Sequence, residues 1–333
     1  MKKNKNDLIS VIITIYNSKF DYFDECVASI VSQSYKSIEI IIVDDFSNYK
    51  IFKKQKEYIL KKYGNKKIKF IRNKKNSGVG FSLNQGIKSS KGKYINWCSY
   101  DDYFHIDKLR LQYQKIKYLK NTIVTCDTLI NYENLKFFRR QNYNFLQNNK
   151  DALIFKDKFS GGSFLIPKSL FNECGLFDPT LRFVQDYDMW LRWYNYNVRF
   201  VNVNKPLFYT RIHSNQDTNK KFNLAVKEKK KFYMRFFKKY LSYFLNFYSN
   251  KEILLIANYY VYRDYKKVAN FIKLAFINKF LKKKKYISGY FMFFMFNLTF
   301  ILANNLRIFI GIFKYLGINI LKFIFKYRNF NNT

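Results

Sequence analysis

Proline, glycine, histidine and acidic residues are all scarce in this chain of 333 residues, which has 3 Pro, 11 Gly, 2 His and 23 Asp+Glu. Its four cysteines, Cys26, Cys98, Cys126 and Cys174, form no CxxC pair and have no histidine close by in sequence. That spacing argues against a metal site or a disulfide framework and leaves reduced thiols of a cytosolic setting as the expectation. No RRM, KH or zinc-finger signature is present, so a dedicated nucleic-acid module is not expected. The N-terminal apolar run SVIITIY is too short for a secretory leader and lacks a small-residue cleavage site.

Lysine, asparagine, isoleucine, phenylalanine and tyrosine are abundant instead. Apolar residues make up 48% of the chain, which excludes disorder, and the length suggests about two domains. The formal charge of +38 comes from 61 Lys+Arg. An A+T-rich genome gives such a bias without selection for a partner, so the distribution of charge says more than its sum. Residues 221–333 have 23 basic and 3 acidic residues, against 38 and 20 in residues 1–220.

Residues 8–16 are nearly all apolar, as in a strand buried on both faces. Phe23, Val27, Ile30 and Val31 then recur at helical spacing, with Asp21 placed to cap the start. IEIIIV (38–43), KIKFIR (67–72), KYINWC (93–98) and TIVTC (122–126) read as further strands, with helical stretches between the first four. Strands alternating with helices predict an α/β fold, a mostly parallel sheet flanked by helices. Two acidic pairs, Asp44-Asp45 and Asp101-Asp102, lie just past two of these strands. Ligands gather at the carboxyl edge of such a sheet, and paired carboxylates there suit a polar ligand with a divalent cation.

From about 220 the pattern becomes helical, aromatic and basic. The uncharged run 286–306 follows the lysine block 282–285 and has the length of a bilayer span, but Asn297, Thr299, Asn304 and Asn305 interrupt it. Beyond Arg307, Ile308, Ile312, Leu316, Ile320 and Ile324 recur at four-residue spacing among Lys314, Lys322, Lys326 and Arg328. Such helices lie on anionic membrane surfaces. A helical bundle packed on the first domain and a true span are the alternatives.

Five motifs in order, SVIITIYN, IEIIIVDDFS, NSGVGFSLNQGIKSSKGKYINWCSYDD, GLFD and QDYDMWLR, resemble family 2 glycosyltransferases of the GT-A fold, the nucleotide-diphospho-sugar transferase fold. The likeness covers about residues 8–215. It implies a glycosyltransferase domain over 1–220, followed by a basic, aromatic helical region over 221–333.

The resemblance assigns roles residue by residue. Thr14 and Tyr16 would line the nucleotide base, and Tyr16 offers a flat face for stacking. Asp45 would accept the imide N–H of uracil, while Asp44 would support the turn by bonding loop amides. Gly78, Val79, Gly80, Asn84 and Gly86 match the loop and helix beneath the nucleotide. In Cys98-Ser99-Tyr100-Asp101-Asp102, Ser99 replaces the first Asp of the family's Asp-x-Asp motif and Asp101 keeps the last. Asp101 would bind Mn²⁺ or Mg²⁺ at the donor diphosphate, with His213 closing the metal site and Asp102 behind it or on the acceptor side. Asp186 matches the catalytic base, in Gln185-Asp186 where relatives usually read Glu-Asp; Asp188 is its rival. Trp190 and Arg192 would pack and position. Gly161, Gly162, Ser163 and the segment 175–178 match the acceptor side.

The expected function is therefore an inverting transfer from a nucleotide-diphosphate sugar, a UDP-sugar, to a hydroxyl of a glycan or lipid-linked saccharide. The expected place is the cytoplasm, peripheral at the inner face of the membrane. A degenerate GT-A subunit that only binds is the alternative that Ser99 invites. Nucleic-acid binding through the tail is a third reading, which the uncharged run 286–306 disfavours.

Overall fold

Ile9–Ile15 form β1, the centre of the sheet, because a run made almost entirely of β-branched residues with no charge settles where both sides are covered. The computed structural model describes residues 6–132, 135–139, 160–213, 216, 221–247 and 265–282. The run 286–306 and the stretch beyond Arg307 lie outside the described residues. Among the described residues no helix is long and apolar enough to cross a membrane.

Strand β1 pairs in parallel with β2 (Ile38–Asp44) on one side and β4 (Tyr94–Ser99) on the other, and β3 (Ile68–Arg72) extends the sheet beyond β2. A short strand, β8 (Ile166–Pro167), closes the far edge antiparallel to β4. The strand order β3-β2-β1-β4-β8 reverses direction at β1. The crevice between the carboxyl ends of β1 and β4 is thus a topological switch point.

Helices α1 (Phe20–Val31), α2 (Tyr49–Tyr63) and α4 (Lys108–Ile116) bury their apolar stripes against Ile9, Val11, Ile13 and Ile15. On the opposite face α3 (Val79–Ser89), α5 (Ser169–Cys174) and α6 (Gln185–Asn195) pack on Ile12, Ile41 and Val43. The period-two alternation of β1 sends its residues to two separate cores. Phe23, Cys26, Val27 and Ile30 are the buried positions of α1, at the expected spacing. Asp21 does not cap it: Lys19 holds the cap position without a side-chain bond, and Asp21 sits in the first turn. All four cysteines are free and buried.

A second sheet orders β5-β9-β6-β7, built from Tyr103–Phe104, Arg199–Ile212, Thr122–Tyr132 and Leu135–Arg139. Its β6 is longer than the expected 122–126 and joins the first sheet through a bridge from Val124 to Leu165. Pro206 falls where the β6–β9 register shifts, a place in a strand that tolerates a missing N–H.

The chain divides into two compact units, Met1–Glu228 and Lys229–Thr333. Helix α7 (Phe222–Phe247) begins in the first. In the second, Tyr233 packs on Tyr265 at 5.7 Å between ring centroids, and Ile272 of α8 (Lys266–Lys282) is fully buried.

Candidate active site

The register of the parallel strands aligns Thr14 of β1 with Val43 of β2 and Ser99 of β4. Past β1 the chain turns at Asn17, which has φ 44°, and Tyr16 is left 40% exposed at the rim. Ser47 holds this turn by accepting the Asn17 amide at 2.8 Å.

The two carboxylates after β2 have separate tasks. Asp44 is fully buried, pairs with Arg72 at 2.5 Å and accepts the Ser47 amide at 3.1 Å. Burial pushes its carboxyl upward, and the bonds from Ser47 and the charge of Arg72 offset part of that. Asp45 accepts the side-chain amide of Asn73 at 2.8 Å and the backbone amides of Ser77 at 2.8 Å and Gly78 at 2.7 Å. It therefore clasps the loop that leads into α3. That loop has Gly78 at φ 91°, which a side chain would resist.

The segment after β4 meets the end of β9. Asp101 Oδ2 lies 3.0 Å from His213 Nε2 and 3.3 Å from Gln216 Nε2. Asp102 Oδ1 accepts the Arg211 amide at 3.1 Å, and burial first, then the Asp101 charge, raises its carboxyl well above the usual range. The Arg211 side chain braces the corner. It donates to the Asp101 carbonyl at 2.6 Å, pairs with Glu25, and lies between the rings of Tyr22 and Tyr103 at 4.7 and 4.6 Å. Ser99 is exposed beside this corner.

Asp186 is in the first turn of α6. Part of its side chain stays accessible, yet desolvation by its neighbours pushes the carboxyl up to about 6. No donor among the described residues bonds it. Asp188, two positions on, is tied to Arg192 at 2.9 Å, and Arg192 also donates to the Leu176 carbonyl at 2.8 Å. Gly80 of α3 faces the start of α6: a Cβ there would make ordinary contact, 3.5 Å, with the Gln185 side chain next to Asp186.

Other expected contacts lie deeper. Asn84 is not presented to the crevice, because its amide donates to the Phe177 carbonyl at 2.8 Å and accepts the Phe177 N–H at 3.0 Å. Both ends are used to hold the segment before α6. Ser163 is fully buried and donates to the Ser160 carbonyl at 2.7 Å, so its hydroxyl serves the turn Gly161–Ser163 rather than an acceptor. Gly162 is buried where a Cβ would fall 2.4 Å from the Phe208 ring, and Gly161 is pressed against Trp97 in the same way.

Arg211, Glu25 and Arg72 were not singled out by sequence reasoning. Arg211 lies at the end of β9, two residues before His213, and that spacing was the available signal. Glu228 was missed too, although it is one of only 3 acidic residues in 221–333. Its carboxylate accepts the amides of Arg182 at 3.1 Å, Phe183 at 2.7 Å and Val184 at 3.0 Å.

The glycosyl transferase family 2 model matches residues 10–182. An uncharacterized glycosyltransferase, RP339 of Rickettsia prowazekii, is 33% identical over 298 residues, covering 87% of this chain and 85% of the relative. Residues 1–349 of TarS from S. aureus superpose with a TM-score of 0.52 at 18% identity, covering 85% of this chain and 89% of that one. GalNAc-T7, crystallised with UDP, GalNAc and Mn²⁺, gives a TM-score of 0.50 at 17% identity over 63% of this chain and 45% of that one. The two solved structures share the fold, and the family match and the rickettsial relative fix the class: this chain belongs to glycosyl transferase family 2, a nucleotide-sugar glycosyltransferase of the GT-A fold.

Proposed function

We propose that the protein is an inverting glycosyltransferase that moves a sugar from a UDP-sugar to a hydroxyl of a glycan or lipid-linked saccharide. Asp186 carries the reading. It is a desolvated carboxylate with no hydrogen-bond donor among the described residues, at the start of a helix whose Gln185 lies beside Gly80 of α3. With a pKa of about 6 it is charged at neutral pH and basic enough to take a proton. The rival Asp188 is neutralised by Arg192.

Uracil would stack on Tyr16, with Thr14 beside it. The imide N–H would meet Asp45, whose Oδ2 accepts only the Gly78 amide among the described residues and retains a lone pair. Ser99 would contact the ribose. Asp101 and His213, side by side at 3.0 Å, offer one oxygen and one nitrogen; the carboxylate suits Mn²⁺ or Mg²⁺, and the imidazole favours Mn²⁺, the transition metal of the two. Bound there with the diphosphate, the ion would neutralise charge growing on the leaving group. Arg211 fixes the Asp101 carbonyl and the Asp102 carboxylate, so the pair is held in place before donor arrives.

Asp186 removes the proton of the acceptor hydroxyl as that oxygen attacks the anomeric carbon from the face opposite the diphosphate. A sugar hydroxyl is far less acidic than an Asp, so the transfer is late and concerted with C–O cleavage. One displacement inverts the anomeric centre. Gly162 contributes by leaving room, and Asn84 and Ser163 by holding the walls. The basic, aromatic α7 suits an enzyme at an anionic membrane surface, where lipid-linked acceptors lie; co-sedimentation with anionic but not neutral vesicles tests this.

The reaction is tested by following the anomeric configuration of the transferred sugar by NMR. Inversion, abolished in Asp186→Asn, is expected. Retention would overturn the single displacement, full activity of Asp186→Asn would favour a different base, and absence of turnover in the wild type would favour a subunit that only binds.

A further inference from the structure

Three backbone amides in a row, those of Arg182, Phe183 and Val184, point at one carboxylate, Glu228. They lead directly into α6, whose first intrahelical bond runs from the Asp188 amide to the Val184 carbonyl at 3.1 Å. The amides at a helix start have no partner within the helix, and an anion placed there satisfies them. No other side chain among the described residues makes three such bonds to consecutive amides. The segment has no other tether of this kind, since Thr180 and Asp178 bond only each other and the local turn.

The same segment reaches the donor loop. Arg182 donates through its guanidinium to Asn76 Oδ1 at 3.2 Å and to the Asn76 carbonyl at 3.1 Å. Asn76 precedes Ser77 and Gly78, the two residues whose amides bind Asp45. A chain of contacts therefore runs from Glu228 through residue 182 to the loop that Asp45 holds.

We propose that Glu228 is a positioning residue for the transfer reaction: by gathering the three amides ahead of α6, it sets the place of Asp186 relative to the donor loop. The inference rests on the reading of Asp186 as the base. Glu228 touches neither donor nor acceptor in this scheme and acts through the backbone. Losing it leaves three amides without their acceptor and lets the start of α6 drift, and a displacement of about 1 Å at a reacting group costs up to about 100-fold in rate.

The test is a double-mutant cycle on the full chain with Glu228→Ala, Asp186→Asn and the pair, together with Glu228→Gln. UDP release is measured from UDP-glucose, UDP-galactose, UDP-N-acetylglucosamine and UDP-N-acetylgalactosamine, and hydrogen exchange across residues 182–190 is recorded on the same proteins. In Glu228→Ala, kcat is expected to fall about 10- to 100-fold with donor KM changed less than about twofold. Glu228→Gln, which keeps one acceptor oxygen, recovers part of the loss. The pair is no slower than Asp186→Asn alone, because the two residues act as a unit. Exchange across 182–190 speeds up in Glu228→Ala, and this reads the positioning without any substrate.

Unchanged exchange, or wild-type kcat in Glu228→Ala beside an inactive Asp186→Asn, would overturn the inference and spare the base assignment. Equal losses with and without Asp186 would also overturn it. Wild-type kcat in Asp186→Asn would instead remove the base assignment, and the inference with it.

Discussion

Replacing Asp186 by Asn should inactivate the enzyme and stabilise it in the same step. Burial raises the carboxyl from 3.8 to about 6, so the folded protein disfavours the charged form that dominates at neutral pH. That displacement is equivalent to roughly 3 kcal/mol. Part of the side chain is accessible, and solvent screening reduces the figure to about 1–2 kcal/mol. The sign follows from the raised pKa: the wild type loses stability as pH rises from 3.8 through 6, and the loss is constant above that. Asn is neutral throughout, so its advantage is largest at pH 7–8 and falls to about half to two thirds of that at pH 4.5. In a domain of this size, about 1–2 kcal/mol corresponds to a rise in Tm of roughly 2–8 °C. Thermal unfolding of both proteins at pH 4.5 and pH 8 measures it, and other titrating groups cancel in the difference. A variant no more stable than the wild type at pH 8, or equally advantaged at both pH values, would refute the reasoning. The accompanying fall in kcat should be about 10²–10⁴-fold.

The remaining expectations concern the same site. Because the base must be charged, kcat should fall about tenfold per pH unit below about pH 6 and be flat above it, read from an initial-rate profile. Arg72→Ala leaves the fully buried Asp44 without its cation, and urea unfolding should show a loss of about 3–5 kcal/mol, whereas a loss under about 1 kcal/mol would deny the pair its structural role. Gly162→Ala drives a methyl into the Phe208 ring, so the variant should lose at least about 1–3 kcal/mol in the same assay; an unchanged midpoint would mean that the turn yields freely.

The parallel sheet was legible because β1 and β2 are mostly aliphatic runs with a single structural solution, and because an acidic pair lies at the end of β2 and another just past β4. The second sheet was not, since β9 (Arg199–Ile212) mixes polar residues with Pro206 and has no alternation to read. The placement of Asn84 depends on a partner 93 positions away in sequence, Phe177, and no local pattern announces such a pairing. The amides that meet Asp45 are backbone groups, which sequence cannot distinguish. Arg211 gains its role from two tyrosines, Tyr22 of α1 and Tyr103 of β5, which it meets only once β9 pairs with β5. Glu228 was legible in principle as a rare acid in a basic region, but what it binds is again backbone.

Calorimetric titration of UDP, GDP, dTDP and CMP into the full chain, with and without Mn²⁺, tests the donor site most directly. UDP should bind in preference to the others, depend on Mn²⁺, and lose that dependence together with most of its affinity in Asp101→Asn. Equal binding of every nucleotide, or UDP binding indifferent to both Mn²⁺ and Asp101, would contradict the assignment of the crevice between β1 and β4 as the site of a metal-assisted UDP-sugar transferase.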